Sequence, residues 1–492
     1  MRDRTRAEGD QGFGATRGPR EIEDFVGGMA PGRLGCADGR TSPTRPSKNC
    51  RISVGDVILS VVKRLGWAAA AAACVLLSAC LGSSPAASSH DIIRIGVDLP
   101  LTGPEARAAQ PALFGIRFYV HQHPRIGAYD VSLRTADDAA DPNLGAANVR
   151  AFLTDPKVLA MVGPFDAAVA RLEIPVANAS GLAMVSPATS NPCLTRDVFT
   201  PAKLNPARTP ITCRQAGLPA ASALRPQKTN NFFRLTTTDE LQAAAAADFA
   251  FHKLHLLRAG VVSDNEAYGQ GLAYAFSARF TNLGGTVLGR LELDPKNPSA
   301  TAFLKSMKDA GAQAIYYGGA TQAGGCAVRA QMSGVFPPGE ATPFLGADGV
   351  AEDPACVSAA GANAAGMFAT VPIVDAAARP DAASTIREFR ATFGNTSDYG
   401  PYTLVAYDAT AVVYAALDAA LRAAGTGIPQ RSDVTARVAS TSGLTGITGS
   451  LGFDAAGDTT NRVVSVVEAT GSDPRIAWKP VDAIDYSGRL PY

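Results

Sequence analysis

The sequence predicts an α/β protein with two lobes, each built around a largely parallel β-sheet. From Asp91 onward, short runs rich in β-branched residues alternate with longer stretches of helical periodicity. Such alternation is typical of parallel strands joined by helices that cover the sheet. It stops at a long segment rich in Pro, Thr and Ala, residues 191–231, and resumes near Asp239, which indicates a second lobe. The 492 residues provide enough chain for two such units.

The first lobe begins with four predicted strands separated by helices. Each strand is a short apolar run, and each helix repeats its apolar residues every three or four positions. In chain order the strands are residues 92–99, 131–135, 158–163 and 182–186, and the helices are residues 111–122, 142–154 and a third that starts near Ala167.

The same pattern returns after residues 191–231. Loops as long as this one are usually functional or held by additional links. The strands that follow are residues 232–236, 257–263, 286–293 and 314–318, and the helices are residues 240–252, 268–282, 301–310, 322–333 and 402–424, with strands and turns from Thr448 onward.

Residues 61–79 have the pattern of a lipoprotein signal peptide. Lys63 and Arg64 precede an uncharged apolar stretch, residues 65–77, of the length that secretory signals use. Leu77-Ser-Ala-Cys80 resembles the lipobox of bacterial lipoproteins, in which the cysteine is acylated and becomes the first mature residue. The alternative is a membrane-spanning anchor, but the stretch is marginal against the ~20 apolar residues that a span needs.

These observations predict a protein lipid-anchored through Cys80 on the extracytoplasmic face of the cell membrane. Residues 80–90 would form a flexible linker of small polar residues. Residues 1–60 are rich in Arg, Gly and Pro and precede a signal that must be N-terminal. We therefore interpret them as a non-native or disordered leader that lies upstream of the true start.

Four cysteines remain for the exported part of the chain: Cys193, Cys213, Cys326 and Cys356. In an oxidising compartment they can pair in three ways, and we favour the pairing that is local in sequence, Cys193–Cys213 and Cys326–Cys356. No two of them have the spacing of a metal site. We expect neither a metal nor a cofactor.

Composition argues against nucleic-acid binding, and the motifs that do not occur argue against catalysis. Hydrophobic residues make up 46% and charged residues 18%, as in a globular protein. Residues 1–80 hold 12 of the 45 Lys and Arg residues but only 8 of the 44 Asp and Glu residues, so the rest is mildly acidic and no nucleic-acid partner is expected. The motifs G-x-S-x-G, H-E-x-x-H and G-x-x-x-x-G-K-[ST] do not occur, so we expect no enzyme.

A specific resemblance covers the chain from Asp91 to the C-terminus. Eight fragments carry it, all in one order: Ile95-Gly-Val-Asp-Leu-Pro-Leu-Thr-Gly-Pro104, Val162-Gly-Pro164, Ser186-Pro-Ala-Thr-Ser190, Phe233-Arg-Leu-Thr236, Val262-Ser-Asp-Asn-Glu-Ala-Tyr-Gly-Gln-Gly-Leu272, Tyr316-Tyr-Gly-Gly319, Phe344-Leu-Gly-Ala-Asp-Gly349 and Gly452-Phe-Asp-Ala-Ala-Gly457. The series resembles the leucine/isoleucine/valine-binding protein family, the substrate-binding lipoproteins of branched-chain amino acid ABC transporters.

This resemblance implies the type I periplasmic-binding-protein fold, with two Rossmann-like lobes and a three-segment hinge. Lobe 1 would comprise residues 91–238 and 373–452, and lobe 2 residues 239–372 and 453–492. It further implies a monomer that captures an amino acid, of branched-chain type or a relative, or a similar small polar solute by hinge closure and delivers it to ABC permease subunits. The alternative is a sensor of the same fold, coupled to a signalling partner.

The resemblance also implies a set of ligand contacts. Ala188 and Ser190 lie where the family holds its ligand with a carbonyl and a hydroxyl, and Asp348 lies where the family has an ammonium-binding glutamate. Tyr268 matches an aromatic residue that faces the cleft. The chain departs from the family at Ala167, which replaces a carboxylate-binding serine. The remaining positions are Ala320 and Ala108, which replace tyrosines, and Phe165, which could form an apolar wall.

Each contact has a structural alternative. Ser190 could cap a helix or form a turn before Pro192, and Asp348-Gly349 is an ordinary turn dipeptide. Tyr268 could pack on its own lobe, and Phe165 could belong to the core. Asp166 is expected to cap a helix, as are Asp137, Asp138 and Asp141, which resemble a catalytic acid cluster only at first glance.

Overall fold

Two β-sheets organise the part of the chain that the structure describes. This computed structural model describes residues 91–492 except for Pro104, Pro206, Pro295, Glu352 and residues 337–341, 361–363, 395–398 and 471–477. The described residues belong to a single compact unit. The predicted leader, the signal peptide and the whole linker from Cys80 to residue 90 lie outside them.

The first sheet has six strands in the order β2-β3-β1-β4-β5-β8. All are parallel except the short edge strand β2, which runs antiparallel to β3. The strands are β1 (Ile92–Leu99), β2 (Arg125–Ile126), β3 (Tyr129–Asp137), β4 (Val158–Val162), β5 (Ala183–Ser186) and β8 (Phe232–Arg234).

The second sheet has seven strands in the order β10-β9-β11-β12-β13-β16-β17. The first five are parallel, and the last two extend the sheet in antiparallel fashion. The strands are β9 (Arg258–Ser263), β10 (Thr286–Glu292), β11 (Ala314–Gly318), β12 (Phe344–Gly346), β13 (Met367–Val371), β16 (Val463–Ala469) and β17 (Trp478–Asp485).

Eleven α-helices in the described residues cover and connect these sheets. The central strands β4 and β11 are fully buried, which explains why their sequences are continuous apolar runs rather than alternating ones. The helices are α1 (Ala106–Gln122), α2 (Pro142–Leu153), α3 (Ala167–Ala179), α4 (Asp239–Asp248), α5 (Ala267–Asn282), α6 (Thr301–Asp309), α7 (Cys326–Val335), α8 (Pro354–Ala360), α9 (Ala383–Phe393), α10 (Thr403–Ala424) and α11 (Arg431–Ala439).

The chain passes between the two sheets three times. It first leaves β8 for α4, which packs on α5 and on β13 and β16 of the second sheet. After β13 it returns to the first lobe, where α10 packs against α1, β4 and β5. It then re-enters the second sheet at β16. These crossings confirm the expected two-lobed α/β fold with a three-segment hinge.

The parallel strands in both sheets follow the order of a doubly wound fold. In the first sheet the order reverses between β1 and β4, and in the second between β9 and β11. Ligands of such sheets bind beyond the carboxyl ends of the strands, at the point of reversal. The loops at these ends therefore define where a site can form.

Residues 191–231 form an ordered segment that connects β5 to β8 and reaches the second lobe. It contains a small hairpin of β6 (Val198–Thr200) and β7 (Ile211–Thr212), and the disulfide Cys193–Cys213 links its two halves. The Phe199 ring packs against the backbone of α5 at Gly271, where an added Cβ would lie only 2.6 Å from the ring. We call residues 191–231 the β5–β8 segment.

Helix α10 is long and apolar enough to cross a membrane by length and composition. Most of it is buried within the protein, where it packs against α1. Its apolar character is accounted for by this position in the core of the first lobe.

Candidate functional site

The predicted ligand contacts lie at the carboxyl ends of strands in both sheets. Phe165 and Ala167 follow β4, and Ala188 and Ser190 follow β5. In the second lobe, Tyr268 follows β9 at the start of α5, Ala320 follows β11 and Asp348 follows β12. The structure thus places all seven residues at the edges where a doubly wound sheet binds ligands.

Asp348 is the centre of a hydrogen-bond network that draws on both lobes. Its Oδ1 accepts hydrogen bonds from Tyr268 Oη at 2.6 Å and from Gln242 Nε2 at 2.7 Å, both in the second lobe. Its Oδ2 accepts one from Tyr402 Oη of the first lobe at 2.8 Å. A carboxylate offers about four acceptor positions, so three donors leave room for one more.

The aromatic partners of Asp348 are held in place by their surroundings. Burial and the nearby Asp348 carboxylate raise the pKa of Tyr268 well above its ordinary value, so this hydroxyl remains a donor. Tyr402 is buried, and its ring packs edge-to-face on Phe165 with centroids 5.1 Å apart. Tyr268 packs within its own lobe and bonds there to Asp348, and Phe165 is half-buried beside Tyr402.

The loop after β5 uses its polar groups internally. Ser186 Oγ donates to the carbonyl of Pro164 at 2.7 Å and accepts the backbone N–H groups of Ala188 and Thr189 at 3.2 and 3.0 Å. The carbonyl of Ser190 accepts the backbone N–H of Asp239 at 3.1 Å. The side chain of Asn191, not Ser190, caps the short helix that follows, so the capping alternative for Ser190 is wrong.

Asp239, at the start of α4, lies among these residues. It is only 2% exposed, and burial raises its pKa to about 7, a rise opposed by the Ser190 hydroxyl and increased by Asp348. Ser190 lies near enough to favour the ionised carboxylate, but neither oxygen of Asp239 makes a hydrogen bond of ordinary geometry with a described residue. Asp239 is thus a buried acid with unused acceptor capacity.

Ala167 and Ala320 contribute no polar side chain to the site. Ala167 begins α3, where Asp166 is the N-cap and accepts the N–H groups of Ala168 and Val169. The carbonyl of Ala320 accepts the Tyr317 hydroxyl at 3.0 Å. The expectation that Asp166 caps a helix is confirmed.

The other three aspartates that were expected to cap helices have different roles. Asp141 caps α2, as expected. Asp137 does not cap a helix, because its carboxylate holds the loop after β1 through Leu101 and Thr102. The Asp138 side chain is fully buried, and its carboxylate accepts only the N–H of Ala140 among the described residues. Capping therefore explains only one of the three.

Both expected disulfides form. Cys193 pairs with Cys213, and Cys326 pairs with Cys356. Thr321, whose hydroxyl lies 3.4 Å from Cys356 Sγ, donates its backbone N–H to the carbonyl of Gly349 at 2.8 Å. This contact holds the loop after β11 against the loop that carries Asp348.

Sequence reasoning missed two residues of the network, Gln242 and Tyr402, and the nearby Asp239. Gln242 is fully buried and has one available signal, since it is a polar residue directly before the run of alanines in α4. In the sequence, Tyr402 marks only the start of a long predicted helix, and Asp239 marks only where the α/β pattern resumes.

The described residues contain no group of three or more His, Cys, Asp or Glu side chains that could hold a metal ion. The acids at the site instead meet tyrosine, amide and backbone donors. Such an arrangement can bind a polar solute, and the described part of the site shows no nucleophile paired with a base.

Comparisons with known proteins agree with this architecture. The family model described as periplasmic binding protein matches residues 92–473. Leu/Ile/Val-binding protein homolog 3 of Brucella melitensis is 28% identical over 349 residues, which cover 70% of this chain and 83% of that protein.

Solved structures show the same fold. The branched-chain amino acid transporter substrate-binding protein of Streptococcus pneumoniae, in complex with isoleucine, matches with a TM-score of 0.62 and 19% identity over 80% of this chain and 99% of that one. A solute-binding protein of an ABC transporter from Rhodopseudomonas palustris, in complex with p-hydroxybenzoic acid, matches with a TM-score of 0.64 and 16% identity over 82% of this chain and 99% of that one.

The family match covers more than half of the chain and confirms the resemblance seen in the sequence fragments. It also confirms the expectation of a solute-binding protein rather than an enzyme. The chain belongs to the periplasmic binding protein family, in the group that includes the Leu/Ile/Val-binding proteins.

Proposed function

We propose that this protein is the solute-binding subunit of an ABC importer and captures an amino acid, of branched-chain type or a relative, or a similar small polar solute. The two lobes, residues 91–238 with 373–452 and residues 239–372 with 453–492, would close on the solute at the hinge. Closure suits a receptor because a ligand that contacts both lobes stabilises the closed state, which a permease can recognise. The relatives named as Leu/Ile/Val-binding proteins support the amino-acid class.

The observation that carries the proposal is the position of Asp348. Its carboxylate lies in the second lobe but receives a hydrogen bond from Tyr402 of the first lobe. A ligand amine bound there would contact the acid of one lobe and lie beside the aromatic residues of the other. Ala188, Ser190, Tyr268, Phe165, Ala167 and Ala320 would complete the binding surface.

The receptor would be held at the extracytoplasmic face of the membrane by a lipid on Cys80. The export pattern in residues 61–79 and the two disulfides of the folded part support this location. Cys80→Ser should move the protein from the membrane fraction to the soluble fraction. A Cys80→Ser protein that remained in the membrane fraction would contradict the anchor.

The binding function is tested by differential scanning fluorimetry of residues 88–492, the compact unit, against amino acids, amides and small carboxylates. A ligand that binds only the native state raises the midpoint of unfolding. We expect at least one stabilising ligand. The absence of any shift at millimolar concentration in all three classes would contradict the proposal.

The role of Asp348 is tested with Asp348→Ala once an amine-bearing ligand is known. Loss of a hydrogen bond to a charged group costs about 1.5–3 kcal/mol, so affinity should fall 10-fold or more. Asp309→Asn provides the control, because it removes one negative charge from an exposed position at the end of α6. An affinity that stayed within about threefold of wild type in Asp348→Ala would show that the ammonium assignment is wrong.

A further inference from the structure

The helix N-termini at the cleft already have acceptors from the protein itself. At α3, Asp166 Oδ1 accepts the N–H groups of Ala168 at 2.5 Å and of Val169 at 3.1 Å. Free N–H groups at such a helix end would otherwise form a good site for a ligand carboxylate. Here an incoming carboxylate would instead meet the negatively charged side chain of Asp166, which already accepts these N–H groups.

The neighbouring donors are engaged in the same way. After β5, Ser186 Oγ accepts the N–H groups of Ala188 and Thr189. The first N–H of α4 donates to the carbonyl of Ser190. At the start of α5, Asp264 Oδ1 accepts the N–H of Glu266 at 2.9 Å, and its Oδ2 accepts the N–H of Ala320 at 3.4 Å. The loops that carry the site therefore offer an anion few unused donors.

The two arginines near the acids of α4, Arg234 and Arg196, pair mainly with Asp458. Arg234 is fully buried, and its Nε and Nη2 lie 2.8 and 2.7 Å from Asp458 Oδ1. Arg196 Nη2 lies 2.6 Å from Asp458 Oδ2, and its Nη1 lies 3.7 Å from Glu240 Oε1. Neither guanidinium compensates Asp239 or Asp348 by direct contact.

Unused acceptors are concentrated in the same region. Both oxygens of Asp239 and the Oε1 of Gln242 lack a hydrogen-bond partner among the described residues. These side chains are 2% and 0% exposed, and each adjoins Asp348 or the Ser190 loop. Buried acceptors without donors cost free energy, and an ammonium group supplies three N–H donors and a positive charge.

We infer that the solute is a small primary amine that has no free carboxylate, such as an amino-acid amide or an alkylamine, rather than a zwitterionic amino acid. This inference rests on the proposed solute-binding function and narrows its ligand. The ammonium group binds at Asp348, Gln242 and Asp239. The end of the ligand nearest Asp166 is neutral.

Matched ligand pairs test the inference directly. Isothermal titration of residues 88–492 compares leucine with leucinamide, alanine with alaninamide and phenylalanine with phenylalaninamide, and includes isopentylamine and p-hydroxybenzoate. We expect the amide to bind at least 10-fold more tightly than its acid in every pair that binds. Tighter binding of the acid, or binding of carboxylates alone, overturns the inference but leaves the proposed function intact. Failure of every compound overturns both.

Two isosteric variants locate the effect. Asp239→Asn should lower the affinity for the best amine at least 10-fold, and Asp166→Asn, which keeps a capping oxygen, should raise the affinity for acids relative to amides. Asp141→Asn is the matched control, since it neutralises the N-cap of α2 at an exposed position and should change neither affinity. If Asp239→Asn fails to fold, Asp166→Asn decides, and an unchanged ratio of acid to amide affinity contradicts the inference.

Discussion

Asp138 should make the protein less stable at neutral pH than in mild acid. The side chain is fully buried, and its Oδ2 has no hydrogen-bond partner among the described residues. Burial, and secondarily the charges of Asp98, Asp166 and Asp137, raise its pKa from the ordinary 3.8 to about 7 against the opposing Ala140 hydrogen bond. Folding at pH 8 thus requires a charged carboxylate in an unfavourable position.

The sign follows from proton binding. Between about pH 4 and pH 7 the native Asp138 keeps a proton that the unfolded chain has lost, so the free energy of unfolding falls as the pH rises through this window. At about 1.4 kcal/mol per pH unit, the full penalty above pH 7 is about 4 kcal/mol, as an upper bound. At pH 5 only about 2 kcal/mol of it applies.

Asp138→Asn removes this charge and keeps the oxygen that accepts the Ala140 N–H. Its gain in the free energy of unfolding over wild type should therefore be about 2–3 kcal/mol larger at pH 8 than at pH 5. Urea denaturation followed by far-UV circular dichroism at both pH values measures the difference. Asp141→Asn, an exposed cap, should show little pH dependence. A difference for Asp138→Asn that is equal at pH 5 and pH 8 would refute the reasoning.

Two other predictions concern contacts between the lobes. Tyr402→Phe keeps the ring on Phe165 but removes the hydrogen bond to Asp348, which is worth about 1.5–3 kcal/mol. The ligand-free protein should therefore open, and its radius of gyration measured by small-angle X-ray scattering should increase. An unchanged radius would contradict this role of Tyr402. Phe199→Ala should reduce the free energy of unfolding by about 3 kcal/mol, because it leaves a cavity beside α5. Val198→Ala is the control: this neighbouring side chain is 36% exposed, so its loss should reduce the free energy of unfolding by less than about 1 kcal/mol. Equal losses in the two variants, measured by urea denaturation, would show that the ring does not carry the contact.

The regular part of the fold could be predicted because its signals are local. Strands such as β4 and β11 are continuous apolar runs, and the helices between them have clear periodicity. The short strands β14 (Leu444–Gly446) and β15 (Gly449–Leu451) were not resolved individually, since three residues are too few to show a period. Helices α8, α9 and α11 and strands β12 and β13 were not predicted either.

The candidate site was only partly visible in the sequence. Asp348 could be identified from the fragment around it, but its donors come from distant parts of the chain. Gln242 lies in α4 and Tyr402 precedes α10, and only the folded hinge brings both to one carboxylate. Long-range contacts of this kind leave no periodic pattern. The unused acceptors of Asp239 likewise become apparent only after folding.

The β5–β8 segment makes the folding of the two lobes interdependent. Both its ends join strands of the first sheet, yet Leu204 belongs to an apolar cluster whose other buried members come from residues 241–486. A fragment that began at residue 239 would therefore lack part of its own core. During synthesis, Phe199 and Leu204 are made before α5 and stay uncovered until that helix has formed, and such distant pairings slow folding. We therefore expect a division of the chain at the hinge to leave the second lobe less stable than it is in the whole protein.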